Sequence, residues 1–245
     1  MNLKRYIILA AAALVLVGSF FLPNMVAGVM NTRRLNKLIT VAAQSISIST
    51  DTALGLPQRI ALASSPNTEI LVLTTGQVMG TETAKTRATR ELARFFRGDL
   101  LDYSADDYTV DDGVTSLITD SAEPSVNLIM WEFKAFDRQG NEITIAIDDE
   151  TGMILKLIYQ QRDGRFMPGA QTGEDDSVFV GDDMNNVALR LTEMMTAYYG
   201  MMVRLGDYQL GNGLAYYRAD IYGGGPPTPM YGVVRANGFT MNERL

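Results

Sequence analysis

Three apolar runs joined by short polar connectors constrain the fold of this chain more than any other feature. The runs are NLIMWEFKAF, EITIAID and MILKLIY, and the connectors are DRQGN and DETG. In the first run, Trp131 and Phe133 flank the charged Glu132, which is the pattern of a strand with one buried and one wet face. Connectors this short suit β-hairpins. The pattern predicts a three-stranded antiparallel meander.

An amphipathic helix is predicted directly before the meander. The segment TETAKTRATRELARFFRG opens with Thr and Glu and ends at Gly98. Its apolar residues recur on one helical face: Ala84, Ala88, Leu92, Phe95 and Phe96. The helix and the meander together predict an α+β unit over residues 80–160.

The stretch WEFKAFDRQGNEITIAIDDETGMILKLIY resembles the core of a PepSY-type domain, which pairs a helix with an antiparallel meander. The family pattern is an apolar strand ending in Asp, a Thr-Gly turn and a second apolar strand. The matching residues are Ile145, Ile147, Asp148, Thr151, Gly152 and Ile154. The resemblance implies a secreted or membrane-anchored bacterial protein that acts in protease inhibition or envelope regulation, with no shared catalytic residue.

The C-terminal half predicts the same order of elements. After a Gly- and Asp-rich linker at 161–181, a helix is expected from Asp182 or Asp183 to Gly200, followed by strands in MMVRL, GLAYYRADIY, MYGVVRA and GFTMNERL. The fold class is therefore α+β, with one or two units of a helix packed on an antiparallel meander; the second unit would span 182–245.

The N-terminal segment predicts a membrane anchor. The run from Tyr6 to Leu22 carries no charge, and none follows until Arg33, so the span reaches the roughly 20 residues that cross a bilayer. Residues 1–30 are interpreted as a transmembrane helix or uncleaved signal, with a cleaved signal as the alternative. Residues 31–79 are interpreted as a stalk helix and a strand-rich entry, in which SISIST and EILVLTT are strands and GLPQR and SSPNT are turns.

Positive charge lies on both sides of the apolar run, so the counts do not decide its orientation. The basic start Lys4 and Arg5, followed at once by apolar residues, is the pattern of an export signal. We therefore expect a single-pass protein of the cell membrane, with a cytoplasmic N-terminus and most of the chain extracytoplasmic.

The composition excludes several kinds of chemistry. The chain has no cysteine and no histidine, which removes thiol nucleophiles, Ser-His-Asp triads and most transition-metal sites. A formal net charge of −7 argues against nucleic acid as a partner. We expect no cofactor, no metal and no catalytic residue.

Three regions of the sequence are candidate binding sites. The acidic knot Asp148, Asp149 and Glu150 offers oxygen ligands for Ca²⁺, but alternation along a strand prevents neighbouring carboxylates from converging. A turn with a solvated edge is the favoured interpretation.

The helix before the knot carries four arginines opposite its apolar stripe: Arg87, Arg90, Arg94 and Arg97. This arginine face is a candidate contact for anionic lipids, wall polymers or an acidic protein, against the plainer interpretation of a solvated helix face. Late aromatic residues beside GGGPPTP suggest a groove for a peptide or glycan, against simple strand propensity. These residues are Tyr208, Tyr216, Tyr217, Tyr222 and Tyr231.

The sequence thus predicts a non-enzymatic interaction or regulatory module of a bacterial cell envelope, with the membrane and an envelope protein or wall polymer as partners. The alternative is a hydrolase that uses a pair of carboxylates on an envelope polymer.

Overall fold

The computed structural model describes residues 54–97, 107–162, 181–211 and 213–242. The predicted membrane segment, the SISIST strand and nearly all of the predicted linker lie outside these ranges. The described helices are α1 (Leu56–Ser64), α2 (Thr81–Phe95) and α3 (Gly181–Tyr199). Among the described residues, no helix combines the length and the apolar character needed to span a bilayer.

The strands form one large antiparallel sheet, which confirms the α+β class. They are β1 (Thr68–Leu73), β2 (Tyr108–Val110), β3 (Val114–Asp120), β4 (Asn127–Asp137), β5 (Glu142–Asp148), β6 (Ile154–Gln160), β7 (Met202–Gly211), β8 (Leu214–Tyr222), β9 (Thr228–Arg235) and β10 (Gly238–Met241). Their order across the sheet is β1-β3-β4-β5-β6-β10-β9-β8-β7, and β2 pairs with β4.

The predicted meander is present as β4, β5 and β6, each antiparallel to the next. Strand β10 pairs with β6 on one side and with β9 on the other. The strands of both predicted units therefore belong to one continuous sheet.

Two helices pack on the sheet face that carries the large core side chains. Helix α2 contacts β4 and β5, while α3 contacts β7, β8, β9 and α2. Trp131 and Phe133 are each 1% exposed and stack with ring centroids 6.0 Å apart. Phe96, directly after α2, meets Phe239 of β10 edge to face. Burial of each such side chain contributes about 1.5–3 kcal/mol.

The interpretation of GLPQR as a turn is wrong, because these residues begin α1. Pro57 stands in the first helical turn, where it needs no hydrogen-bond donor. The Gln58 side chain accepts the Gly55 N–H at 2.9 Å and closes the N-terminus. Burial of Ile60 and Leu62 then holds the helix on the sheet.

Candidate functional site

The hairpin turn between β5 and β6, residues 148–152, forms the acidic turn of the structure. Gly152 adopts φ +71°, and its N–H donates to the Asp148 carbonyl at 2.8 Å. Thr151 donates to Asp148 Oδ2 through both its N–H, at 2.8 Å, and its hydroxyl, at 2.6 Å. A side chain at position 152 would also collide with Arg87 of α2. These constraints explain the Thr-Gly pair at this position.

Asp148 anchors helix α1 to the turn. Arg59 Nη1 lies 3.0 Å from Asp148 Oδ1, both side chains are almost fully buried, and Arg59 Nη2 pairs with Glu150. Arg59 Nε also donates to the Leu54 carbonyl at 2.9 Å. Burial alone would lower the pKa of Arg59, but the two carboxylates outweigh it and raise the pKa. The guanidinium therefore stays charged and fixed.

Asp149 organises the loop between β1 and α2. Its Oδ2 accepts the backbone N–H groups of Gln77, at 2.8 Å, and Val78, at 2.7 Å. Its Oδ1 accepts the N–H of Met79 at 3.1 Å and Trp131 Nε1 at 2.8 Å. Four donors match the roughly four lone-pair directions of a carboxylate, so the acceptor capacity of Asp149 is used.

The favoured interpretation of the acidic knot is therefore right about the turn and wrong about the solvated edge. Asp148 and Asp149 are 0% and 2% exposed, whereas the Glu150 side chain is 57% exposed. Within the described ranges, no group of three His, Cys, Asp or Glu residues is arranged to hold a metal ion.

Three residues of the arginine face surround a buried glutamate that was not predicted from the sequence. Glu91 is 2% exposed, and Arg87 Nε lies 3.0 Å from its Oε1 without the alignment of a hydrogen bond. Arg90 Nε is 3.8 Å from the same oxygen, and Arg94 Nη1 is 3.6 Å from Oε2. Tyr198 of α3 donates its hydroxyl to Oε2 at 2.9 Å. The spacing was informative, because Glu91 lies four residues after Arg87 and three before Arg94.

Further contacts hold two of the arginines in place. Arg87 Nη2 donates to the Thr151 carbonyl of the acidic turn at 3.2 Å. Arg94 Nη2 donates to the Tyr198 carbonyl at 3.2 Å, and its guanidinium lies 5.1 Å from the Tyr198 ring centroid. Arg90 and Arg97 are exposed. The structure thus brings Arg87, Arg90 and Arg94 together around Glu91 and leaves Arg97 at the end of the helix.

Two buried tyrosines join α3 to the end of β6. Tyr198 Oη accepts the Ile154 N–H at 3.0 Å, and Tyr199 donates to the Ile154 carbonyl at 2.9 Å. Burial raises the pKa of both phenols above the ordinary value. The pair fixes the helix that carries Tyr198 against the arginine face.

A cleft of about 460 Å³ separates the first turns of α2 from the acidic turn. We call it the arginine cleft, and its lining is Met79, Glu82, Thr83, Thr86, Arg87, Arg90, Glu150, Thr151 and Gly152. A second cleft of about 380 Å³ is lined by Arg59 and Val78 among other residues. Glu150 lines both clefts.

The five predicted groove tyrosines do not share one surface. Tyr217 is 2% exposed, donates to the Thr240 carbonyl at 2.9 Å and faces the core, as does Tyr208, its partner in register. Tyr216, Tyr222 and Tyr231 are exposed on the opposite face of the sheet. This difference follows from strand alternation, which sends neighbouring side chains to opposite faces.

Comparison of the chain with protein-family models, curated proteins and solved structures finds no match in any of the three. The resemblance to PepSY-type domains therefore stays a prediction from the sequence.

Proposed function

We propose that this chain is a membrane-anchored, extracytoplasmic and non-enzymatic binding module of a bacterial cell envelope. Its arginine face recognises an envelope component that carries carboxylate or phosphate groups. The observation that carries the proposal is the cluster of Arg87, Arg90 and Arg94 around the buried Glu91, which Arg97 extends to the end of the helix. The apolar run Tyr6–Leu22, which lies outside the described residues, supports the membrane anchor.

The arginine face has a surplus of positive charge. Between Arg87 and Arg97, a span of just under three helical turns at about 3.6 residues per turn, four arginines stand against Glu91, which leaves a formal charge of plus three. The side chains of Arg90 and Arg94 are 65% and 51% exposed. A guanidinium presents several donors in a fixed plane, which suits carboxylate and phosphate oxygens.

The face is also organised before any partner arrives. Glu91, the Tyr198 carbonyl and the Thr151 carbonyl restrict the rotamers of Arg87 and Arg94. Side chains that are already ordered lose less entropy on binding, so more of the contact energy is retained as affinity. The hydroxyls of Thr83 and Thr86 in the arginine cleft add neutral hydrogen-bonding groups beside the charges.

The state of the carboxylates favours binding over the alternative of hydrolysis. Asp148 and Asp149 are engaged by Arg59, Thr151, Trp131 and three backbone N–H groups. A glycosidase needs two carboxyl groups that are free to reach the substrate. Hydrolysis in the arginine cleft would therefore have to use Glu82 and Glu150, the two acidic residues that line this cleft.

The experiment is capture of envelope components by the purified full chain in detergent. The test variant carries Arg90→Glu and Arg97→Glu, because these arginines are exposed and Arg97 lies outside the Glu91 cluster. The matched control carries Arg138→Glu and Arg190→Glu, which are exposed and make the same two charge reversals elsewhere. Extracts separated into wall polymer and membrane protein fractions identify the source of the anionic groups.

We expect the test variant to lose capture by about tenfold or more, since each reversed contact costs on the order of 1 kcal/mol. The control retains capture. Equal loss in both variants would point to net charge alone, and unchanged capture in the test variant would reject the arginine face. Cleavage of a polymer that stops on Glu150→Gln would replace the binding role with hydrolysis.

A further inference from the structure

Strand β1 is an apolar edge of the sheet. Among the described residues it pairs with β3 alone and ends the strand order. Ile70, Leu71 and Val72 are 57%, 40% and 60% exposed. By register, Ile70 and Val72 share a face with the start of β3, where Val114 is 52% exposed and extends the apolar patch.

Within the described ranges, the opposite edge of the sheet has protective features that β1 lacks. Strand β7 has an irregular register between Leu205 and Tyr208, and it carries Arg204 and Asp207. Bulges and charges of this kind prevent an edge strand from pairing with another chain. Strand β1 keeps an unbroken register with β3 over all six residues, contains no Lys, Arg or Pro, and has Glu69 as its sole charge.

The backbone of β1 shows which groups face outward. The Ser121 N–H donates to the Asn67 carbonyl at 2.9 Å, so Asn67 points its backbone toward β3. Backbone direction alternates along a strand. The N–H and C=O groups of Ile70 and Val72 therefore point away from β3, toward the open edge.

We propose that β1 pairs antiparallel with β1 of a second copy of this chain, about a two-fold axis through Leu71. In this register Ile70 of one protomer lies opposite Val72 of its partner, and the reverse, so both outward-facing positions exchange backbone hydrogen bonds. The two Leu71 residues face each other between these pairs. Each Glu69 lies opposite an apolar Leu73 at the ends, and the two Glu69 carboxylates stay apart.

The neighbouring register, centred on Ile70, matches the side chains less well. It retains one position at which two apolar residues face each other, Ile70 opposite Ile70, because Glu69 then lies opposite Leu71 and Thr68 opposite Val72. The register centred on Leu71 instead matches apolar residues at the three central positions, and such matching sets register in a sheet. The register centred on Val72 has three apolar matches as well, but it places the outward-facing Ile70 opposite Thr74, beyond the end of β1. A contact of one short strand is smaller than a standard stable interface, so the dimer depends on concentration.

The test uses the absence of cysteine from the chain. Leu71→Cys is introduced into the full chain in detergent, and disulfide formation under mild oxidation is followed on non-reducing gels. Facing residues of a pair without hydrogen bonds have Cα atoms about 4.5 Å apart, which a disulfide spans. In Ile70→Cys the two thiols sit on diagonal positions roughly 7–8 Å apart, beyond easy bridging. Leu210→Cys, on the protected edge and 56% exposed, is the matched control.

We expect Leu71→Cys to form the covalent dimer at least tenfold faster than Ile70→Cys or Leu210→Cys. If the dimer formed through the N-terminal segment instead, Leu71→Cys would cross-link no faster than the other two variants. Equal rates in a dimeric protein would overturn the proposal. Faster cross-linking of Ile70→Cys would overturn the register, and equal slow rates would show that another segment or partner covers β1. In parallel, Val72→Lys without any cysteine is expected to shift the sedimentation equilibrium to monomer while retaining the native circular dichroism. An unchanged dimer would again contradict the pairing.

Discussion

Replacing Asp149 with asparagine tests whether the acidic turn organises the surrounding loops. The carboxylate accepts three backbone N–H groups from residues 77–79 and the indole N–H of Trp131. Asp149→Asn preserves the shape of the side chain. It replaces one acceptor oxygen with an NH₂ donor. The remaining oxygen can accept from Gln77 and Val78 or from Met79 and Trp131, but not from both pairs.

The magnitude follows from this count of donors. Whichever way the amide is turned, two N–H groups lose their acceptor and face another donor: those of Gln77 and Val78, which are partly buried, or those of Met79 and the buried Trp131. The amide is expected to keep its oxygen on Met79 and Trp131, so the low end of the range of about 1–3 kcal/mol for an unsatisfied group applies to Gln77 and Val78, and the loss is about 2–3 kcal/mol. Whole domains are stable by only about 5–15 kcal/mol, so the variant is expected to lose a large part of its free energy of unfolding.

The assay is urea denaturation followed by the emission of Trp131, the single tryptophan of the chain. The residue is 1% exposed and hydrogen-bonded to Asp149, so it reports the turn directly. Glu150→Gln is the matched control, because its 57% exposed side chain contributes about 1 kcal/mol or less. A loss below about 1 kcal/mol in Asp149→Asn would refute the role given to this carboxylate.

Two further predictions use the same assay. Arg59→Met leaves the buried Asp148 carboxylate without its cation and is expected to cost about 3–5 kcal/mol, whereas a neutral result would show that the pair does not hold α1. Stability is expected to fall as pH rises above about 10, the ordinary phenol value. The reason is that burial raises the pKa of Tyr198 and Tyr199, so the folded state retains protons that the unfolded state releases. The urea midpoint of Tyr199→Phe should decline less steeply between about pH 9 and about pH 11 than that of the wild type, and parallel declines would contradict the assignment.

The periodicity of apolar residues predicted individual strands and helices of the fold. Alternation of large and polar residues around Trp131 gave β4, and the arrangement of Ala84, Ala88 and Leu92 gave the buried stripe of α2. Helix α1 was missed because Gly55 and Pro57 resemble a turn, although Pro is also compatible with a first helical turn. The same rule of alternation would have separated Tyr216 from Tyr217, which point to opposite faces of β8.

The site depends on contacts that the local sequence does not encode. Asp149 meets the backbone of Gln77, which is 72 residues away, and Arg59 meets Asp148 across 89 residues. No spacing rule predicts such pairs, since they arise from how the sheet brings distant loops together. Glu91 is different, because its position among the arginines at helical spacing was visible in the sequence.

The central claim concerns the arginine face, and the most direct measurement is the salt dependence of binding to the captured envelope component. Exposed charge pairs are screened over about 10 Å at 0.1 M salt and over about 3 Å at 1 M. We expect the affinity of the wild-type chain to fall steeply across that range. The Arg90→Glu, Arg97→Glu variant should bind weakly at every salt concentration, while the Arg138→Glu, Arg190→Glu control follows the wild type. Binding that is insensitive to salt, or equal in the wild type and the Arg90→Glu, Arg97→Glu variant, would contradict the account.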